Sequence, residues 1–190
     1  MLRFGRGAAA IGLGLVLAGH AFAEEPSAAD IAAVQACTDL VAKNAKERPL
    51  HGADELEEKP GPQGRLAAAA RAARYSLPSC IGALAAACIQ QHGEMASDNV
   101  FSECRSRETQ VWDKRLNLAY RAASKKMEKP AADNLLKTQR AWIAWRDASC
   151  QQPWITFQGS MAGPLQAWCT LRLTAEQALW MEDSAENASP

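Results

Sequence analysis

The sequence predicts an all-α protein, a compact disulfide-stapled bundle of about five helices. Three observations predict it. Apolar residues recur at three- and four-residue steps rather than alternating. Six cysteines, an even number, follow an apparent export signal, which reads as three disulfides. Alanine and other strong helix formers fill the stretches between Pro- and Gly-rich breaks.

Residues 1–23 are expected to be a signal peptide. Arg3 and Arg6 give the positive start, and Ala8–Ala18 is an apolar run. It is too short for a bilayer, which needs roughly 20 residues. Ala21-Phe22-Ala23 forms a small-x-small cleavage site, so the mature chain should begin at Glu24. Leu17-Ala18-Gly19 would suit a lipoprotein signal, but His20 stands where the lipidated Cys would be. No membrane anchor is expected after cleavage, and the expected location is periplasmic or secreted. The signal takes with it two of the 21 basic residues and none of the 21 acidic ones, leaving a charge of about −2. That balance argues against nucleic acid, which needs a clustered positive face.

Residues 24–96 read as a helical N-terminal extension. Ser27 and Asp30 resemble a capping box. Ile31, Val34, Cys37 or Thr38, and Val41 mark one face of a helix over about Ala28–Lys46. Residues 47–64 carry Pro49, Gly52, Pro60, Gly61, Pro62 and Gly64 beside Asp54, Glu55, Glu57 and Glu58. They predict a solvated loop, with an acidic decoy for a basic partner as the second reading. Arg65–Tyr75 predicts an alanine-rich helix, Pro78 a kink, and Ser79–Gln91 a resumed helix whose small residues pack closely. The segment reads as a covering hairpin, or alternatively as a ligand groove of its own.

Residues 97–183 carry the denser pattern. Ser97 or Asp98 can cap a long helix to about Met127. Its stripe runs Phe101, Cys104, Trp112, Leu116, Ala119, Ala123 and Met127, with Glu108 as a break. Asp113, Asn117 and Tyr120 run alongside. Asn in mid-helix costs about half a kcal/mol against Ala. A polar clasp from Asp113 and Asn117 to Arg140 or Arg146 is therefore expected. Pro130 can open the next helix, with Leu135, Leu136, Trp142, Ile143 and Ala144 as its stripe. Gln139, Trp142 and Arg146 stack on one face, and Arg140 and Asp147 share another side. Such a helix either buries a satisfied ion pair under aromatic cover or presents a recognition surface.

After Cys150 a loop carries Trp154, Ile155, Phe157, Gln158, Gly159 and Ser160 to a last helix over about Leu165–Met181. Residues 184–190 are expected to fray. If cyclised, this loop suits insertion into a cleft, because closure lowers the ordering cost on binding. The alternative folds Trp154 and Phe157 back over the helix ends.

The cysteines are Cys37, Cys80, Cys88, Cys104, Cys150 and Cys169. On one helix, Cys80 and Cys88 would stand about 12 Å apart at 1.5 Å per residue. A disulfide tolerates about 7 Å between Cα atoms. The pairing expected is Cys88–Cys104, Cys150–Cys169 and, by elimination, Cys37–Cys80. There is no Cys-x-x-Cys and no helical His pair, and His51 and His92 lie in polar surroundings, so neither metal nor cofactor is expected. No His, Ser or second carboxylate completes a site with Asp113, so no catalysis is expected either.

Three blocks suggest a family: Trp112-Asp113-x-x-Leu116-Asn117-x-x-Tyr120, then Gln139-Arg140-x-Trp142-Ile143-x-x-Arg146-Asp147-x-x-Cys150, then Gly159-Ser160 with Cys169 and Leu173-Thr174. Over about Glu103–Leu179 the chain resembles the LprI-like family, named for a lysozyme inhibitor. Two positions depart from that pattern: Gln158 precedes Gly159-Ser160 where the family has Gly, and Gln177 stands where it often has Arg. The resemblance implies an exported, helical, disulfide-bonded inhibitor. Its expected partner is a c-type lysozyme or another muramidase. Lysozyme catalysis uses paired carboxylates in a cleft. The Cys150–Cys169 loop could set Ser160, Gln158 or an Arg against them, anchored by Trp154, Phe157 and Arg146. Two rivals stand beside it: a non-catalytic structural or stress-related envelope protein with no lysozyme partner, and a wall hydrolase.

Overall fold

The computed structural model describes residues 25–47, 77–157 and 159–188, whose regular structure is helical. The signal, the body of the acidic loop, the helix expected over Arg65–Tyr75, and Gln158 lie outside the described residues. Helix α1 is Ala28–Glu47, α2 Ala83–Gln91, α3 Asp98–Lys126, α4 Lys129–Cys150, α5 Gln152–Thr156 and α6 Ala162–Asn187. Five are long and α5 is a single short turn. No helix among the described residues is long and apolar enough to cross a membrane.

The centre is the pair α3 and α6. Val111, Trp112, Leu116, Ala119 and Ala123 pack with Leu171, Ala175, Ala178, Met181 and Ala185 in one core. Small residues along α6 let the two backbones approach closely. The helices run parallel. Arg105 donates to the Pro164 carbonyl (2.7 Å), Arg115 forks onto Glu182 (2.8 and 2.9 Å), and Lys126 donates to the Ala185 carbonyl (2.6 Å). Helix α4 runs back antiparallel to α6, contacting Thr174 through Arg146 and Gln177 through Gln139. Helix α1 lies parallel to α3, since Asp30 meets Arg107 and Thr38 meets Arg115 at one constant sequence offset.

The predicted boundaries of α1, α3 and α4 hold closely. Ser97 caps α3 through Val100, and Pro130 lies in the first turn of α4. Ser27 accepts from the Asp30 amide at 3.1 Å, as a capping box requires. All three disulfides form as paired from the sequence: Cys37–Cys80, Cys88–Cys104 and Cys150–Cys169, with Cα separations of 5.9, 5.7 and 5.5 Å.

Four expectations are corrected. Ser79–Gln91 is not one helix. Leu77–Cys80 forms a 3-10 turn, and α2 starts only at Ala83. Gly82 between them has φ +89°, a conformation costly for residues with a Cβ. The Trp168 ring would lie 2.9 Å from a Cβ there, so only glycine allows this close approach. The last helix begins three residues early and continues to Asn187, so residues 184–187 are helical rather than frayed. The stripe of α4 is narrower than its periodicity suggested, because Ile143 and Ala144 face solvent.

The fourth correction concerns Glu108. It does not break the stripe of α3; it is fully buried within it. Its carboxylate accepts from the amides of Gly82 and Ala85 (2.8 Å each) and from the Trp112 indole (2.9 Å). The first two are orphan donors at the start of α2. A carboxylate there also meets the positive end of the helix dipole. A buried charge is tolerated only when satisfied in this way.

Candidate functional site

Two surfaces hold the residues singled out from the sequence. The first is built by Cys150–Cys169, which ties the end of α4 to α6. Between the two cysteines the chain turns through α5 and presents an apolar tip. Phe157 donates its amide to Pro153 at 2.8 Å, and Ala162 to Gly159 at 3.3 Å, so the tip is a pair of tight turns. Gly159 takes φ +130°, which accounts for glycine in the motif. Ile155 is 73% exposed, Met161 55%, Trp154 52% and Phe157 48%. Trp154 does fold partly back: its indole donates to Gln166 at 2.6 Å. The remaining apolar surface of this tip is open to solvent, and Ser160 is exposed beside it.

The second surface gathers motif residues. Asp113, Asn117 and Arg146 line one open groove of about 550 Å³, with Glu25 and Pro26 along its edge. The expected clasp does not form. Asn117 bonds the Asp113 carboxylate and carbonyl of its own helix, at 2.9 Å each, and both side chains are exposed. The geometry of a helix explains this, since residues four apart are already neighbours. Arg146 is held by α4 and α6 instead. It donates to Asp147 (2.7 and 2.9 Å) and to Thr174 (3.2 Å), and its guanidinium lies 5.1 Å from the Trp142 ring. Arg140 is exposed on another side. So α4 carries a surface ion pair with aromatic support on its inner side.

The other motif residues are structural. Trp112 and Leu116 are buried, while Tyr120 and Trp142 pack against the core. Gln139 is buried and accepts from Gln177 at 2.7 Å, so the position where the family often has Arg here makes an amide pair between α4 and α6.

Several polar anchors escaped the sequence reading. Arg107 pairs with Asp30, and this guanidinium holds the Asp30 carboxyl below the usual carboxylate range, with Ser27 adding hydrogen bonds. The same contact raises Arg107. Arg105 is pushed down by burial and lies 5.4 Å from the Phe101 ring and 5.7 Å from that of Trp168. Arg115 stacks over Trp112 at 4.8 Å while forking onto Glu182. One signal was readable: Glu108 lies four residues before Trp112, the spacing that lets a helix acid reach an indole N–H. The other pairings join distant segments and leave no local trace.

Cys88, His92 and Cys104 bring three residues of metal-binding type together. Both cysteines are disulfide-bonded, which removes the thiolates that would bind an ion.

Residues 88–181 match the sequence model of the family described as lysozyme inhibitor LprI. That match places residues 88–181 in the LprI family. The match contains α3, α4, α5, α6 as far as Met181, the apolar tip and the groove apart from its Glu25–Pro26 edge, while α1, the 3-10 turn and the start of α2 lie ahead of it. No curated protein and no solved structure gives a significant match. The family is one of inhibitors rather than catalysts, and its partner class is lysozyme. Three disulfides accord with an oxidising, extracytoplasmic setting.

Proposed function

We propose that this protein is an exported, non-catalytic inhibitor that binds a c-type lysozyme or a related muramidase through the α5 tip. The observation that carries the reading is the exposed cluster Trp154, Ile155, Phe157 and Met161, held out by Cys150–Cys169. Solvent exposure of several large apolar side chains on a small rigid projection disfavours the isolated protein and favours a partner. Aromatic anchors ringed by polar residues are the usual source of interface energy. A pre-closed loop spends little entropy on docking. Arg146 drops out as an anchor, because Asp147 and Thr174 already hold it in the groove. Ser160 remains at the tip as a polar contact.

The test is calorimetric titration of the oxidised mature chain with a c-type lysozyme at low and moderate salt, beside a cell-wall turbidity assay. Saturable binding with slowed lysis is the expected result. No heat and no protection, with the disulfides intact, would leave the structural envelope role as the better reading.

A further inference from the structure

The groove holding Asp113, Asn117 and Arg146 does not end at Thr109 and Gln110. Those residues, with Thr170, also line a narrower stretch of about 350 Å³ between α3 and α6. The two form one furrow. Ser106 and Gln166 line the narrower part, and Trp154 lies beside it. The Trp154 indole donates to Gln166 at 2.6 Å, and a Cβ built on Gly163 of the furrow wall would lie 3.8 Å from the Trp154 ring. From Ser106 to Asn117 the furrow follows three turns of helix, roughly 16 Å at 1.5 Å per residue.

We propose that this furrow binds a short oligosaccharide, with Trp154 as a stacking surface beside the narrower part and Gln110, Asp113 and Asn117 as hydrogen-bonding groups along the wider one. Most of the side chains that line it end in hydroxyl, amide, carboxylate, ammonium or guanidinium groups, with carbon surface exposed between them. It offers donors and acceptors together, which a ligand dense in hydroxyls requires and an apolar ligand does not. Asp113 and Glu25 offset Lys114, Arg121 and Arg146 in the wider part, so the furrow does not select a strongly charged ligand. An extended peptide fits less well, because helical walls present no sheet edge and this lining has no apolar pocket for an anchor side chain. The cost of Asn117 is the independent argument. Asn disfavours helix interiors, this one is exposed, and its hydrogen bonds go to Asp113 one turn back. It supports no contact between helices, yet it stands where a planar amide and a carboxylate would together grip vicinal hydroxyls.

The test is titration of the oxidised mature chain with chitotetraose, and separately with a muramyl-containing tetrasaccharide, followed by calorimetry and amide NMR. Saturable binding of at least one sugar is expected, with a tenfold or greater loss in Q110A/N117A at unchanged melting temperature. Failure of both sugars to bind would overturn the proposal. So would sugar binding that Q110A/N117A leaves intact, or a lysozyme-derived peptide occupying the furrow in place of sugar. Sugar binding is read without lysozyme, so its failure is distinct from failure of the inhibitor reading.

Discussion

Glu108 shows how one buried acid can organise a junction. It joins the start of α2, the stripe of α3 and the Trp112 ring in a site closed to water. Glu108→Ala leaves three donors without an acceptor, each worth about 1–3 kcal/mol when stranded. A loss of about 3–5 kcal/mol is expected by urea unfolding of the oxidised protein, with Glu108→Gln losing less. Asp30 contributes to the acid limb of stability. Arg107 depresses its folded pKa, so the unfolded chain binds the proton more readily. The contribution is therefore complete above the unfolded value near 3.8 and is lost as pH falls through the lower, folded value. Asp30→Asn should lower stability at pH 7 and flatten its fall below about pH 4. An unaltered acid limb in that variant would place the titration elsewhere.

At the scale of the element, the starts of α1, α3 and α4 were legible, because period and caps are local properties, whereas the short α5 read as loop. What failed was anything decided by a distant neighbour. Glu108 read as a break because periodicity counts an acid as polar, whereas α2 makes it a core residue. Gly163 and Pro164 fell outside the helix expected from Leu165, yet proline is tolerated in a first turn, where its missing amide would be unpaired anyway. The tail read as frayed, but Met181 and Ala185 are buried and Lys126 holds the Ala185 carbonyl. The motif blocks located both surfaces. They did not separate core residues such as Trp112 from exposed ones such as Asn117, since spacing places residues on a face without saying what covers it. The α5 tip yields the next prediction. Trp154→Ala with Phe157→Ala should cost lysozyme inhibition tenfold or more while moving stability by less than about 1 kcal/mol, because both rings are half-exposed. A large drop in melting temperature with inhibition retained would assign these rings to the fold.

For the whole molecule, three disulfides tie the layers in series: Cys37–Cys80 holds α1 to the 3-10 turn, Cys88–Cys104 holds α2 to α3, and Cys150–Cys169 holds α4 to α6. The last closes 19 residues, and loop-closure entropy puts its worth at about 3 kcal/mol. Cys150→Ala with Cys169→Ala should therefore lower unfolding free energy by about that amount and weaken lysozyme binding, since the tip would lose its closure. Calorimetry on the one variant reads both effects.

The parallel pairing of α3 with α6 also bears on how quickly the chain can fold. Arg105 reaches Pro164 and Lys126 reaches Ala185 across 59 residues each. The main interface cannot form until the intervening α4 has doubled back, unlike an up-and-down bundle, whose neighbours in space are neighbours in sequence. Non-local contacts slow folding because the loop must close before they contribute. Cys150–Cys169 joins the turn that makes this doubling back, so an already oxidised chain starts with part of the search done. Refolding from urea should be markedly faster with that bond intact than without it, and equal rates would mean that α3 and α6 meet by another route.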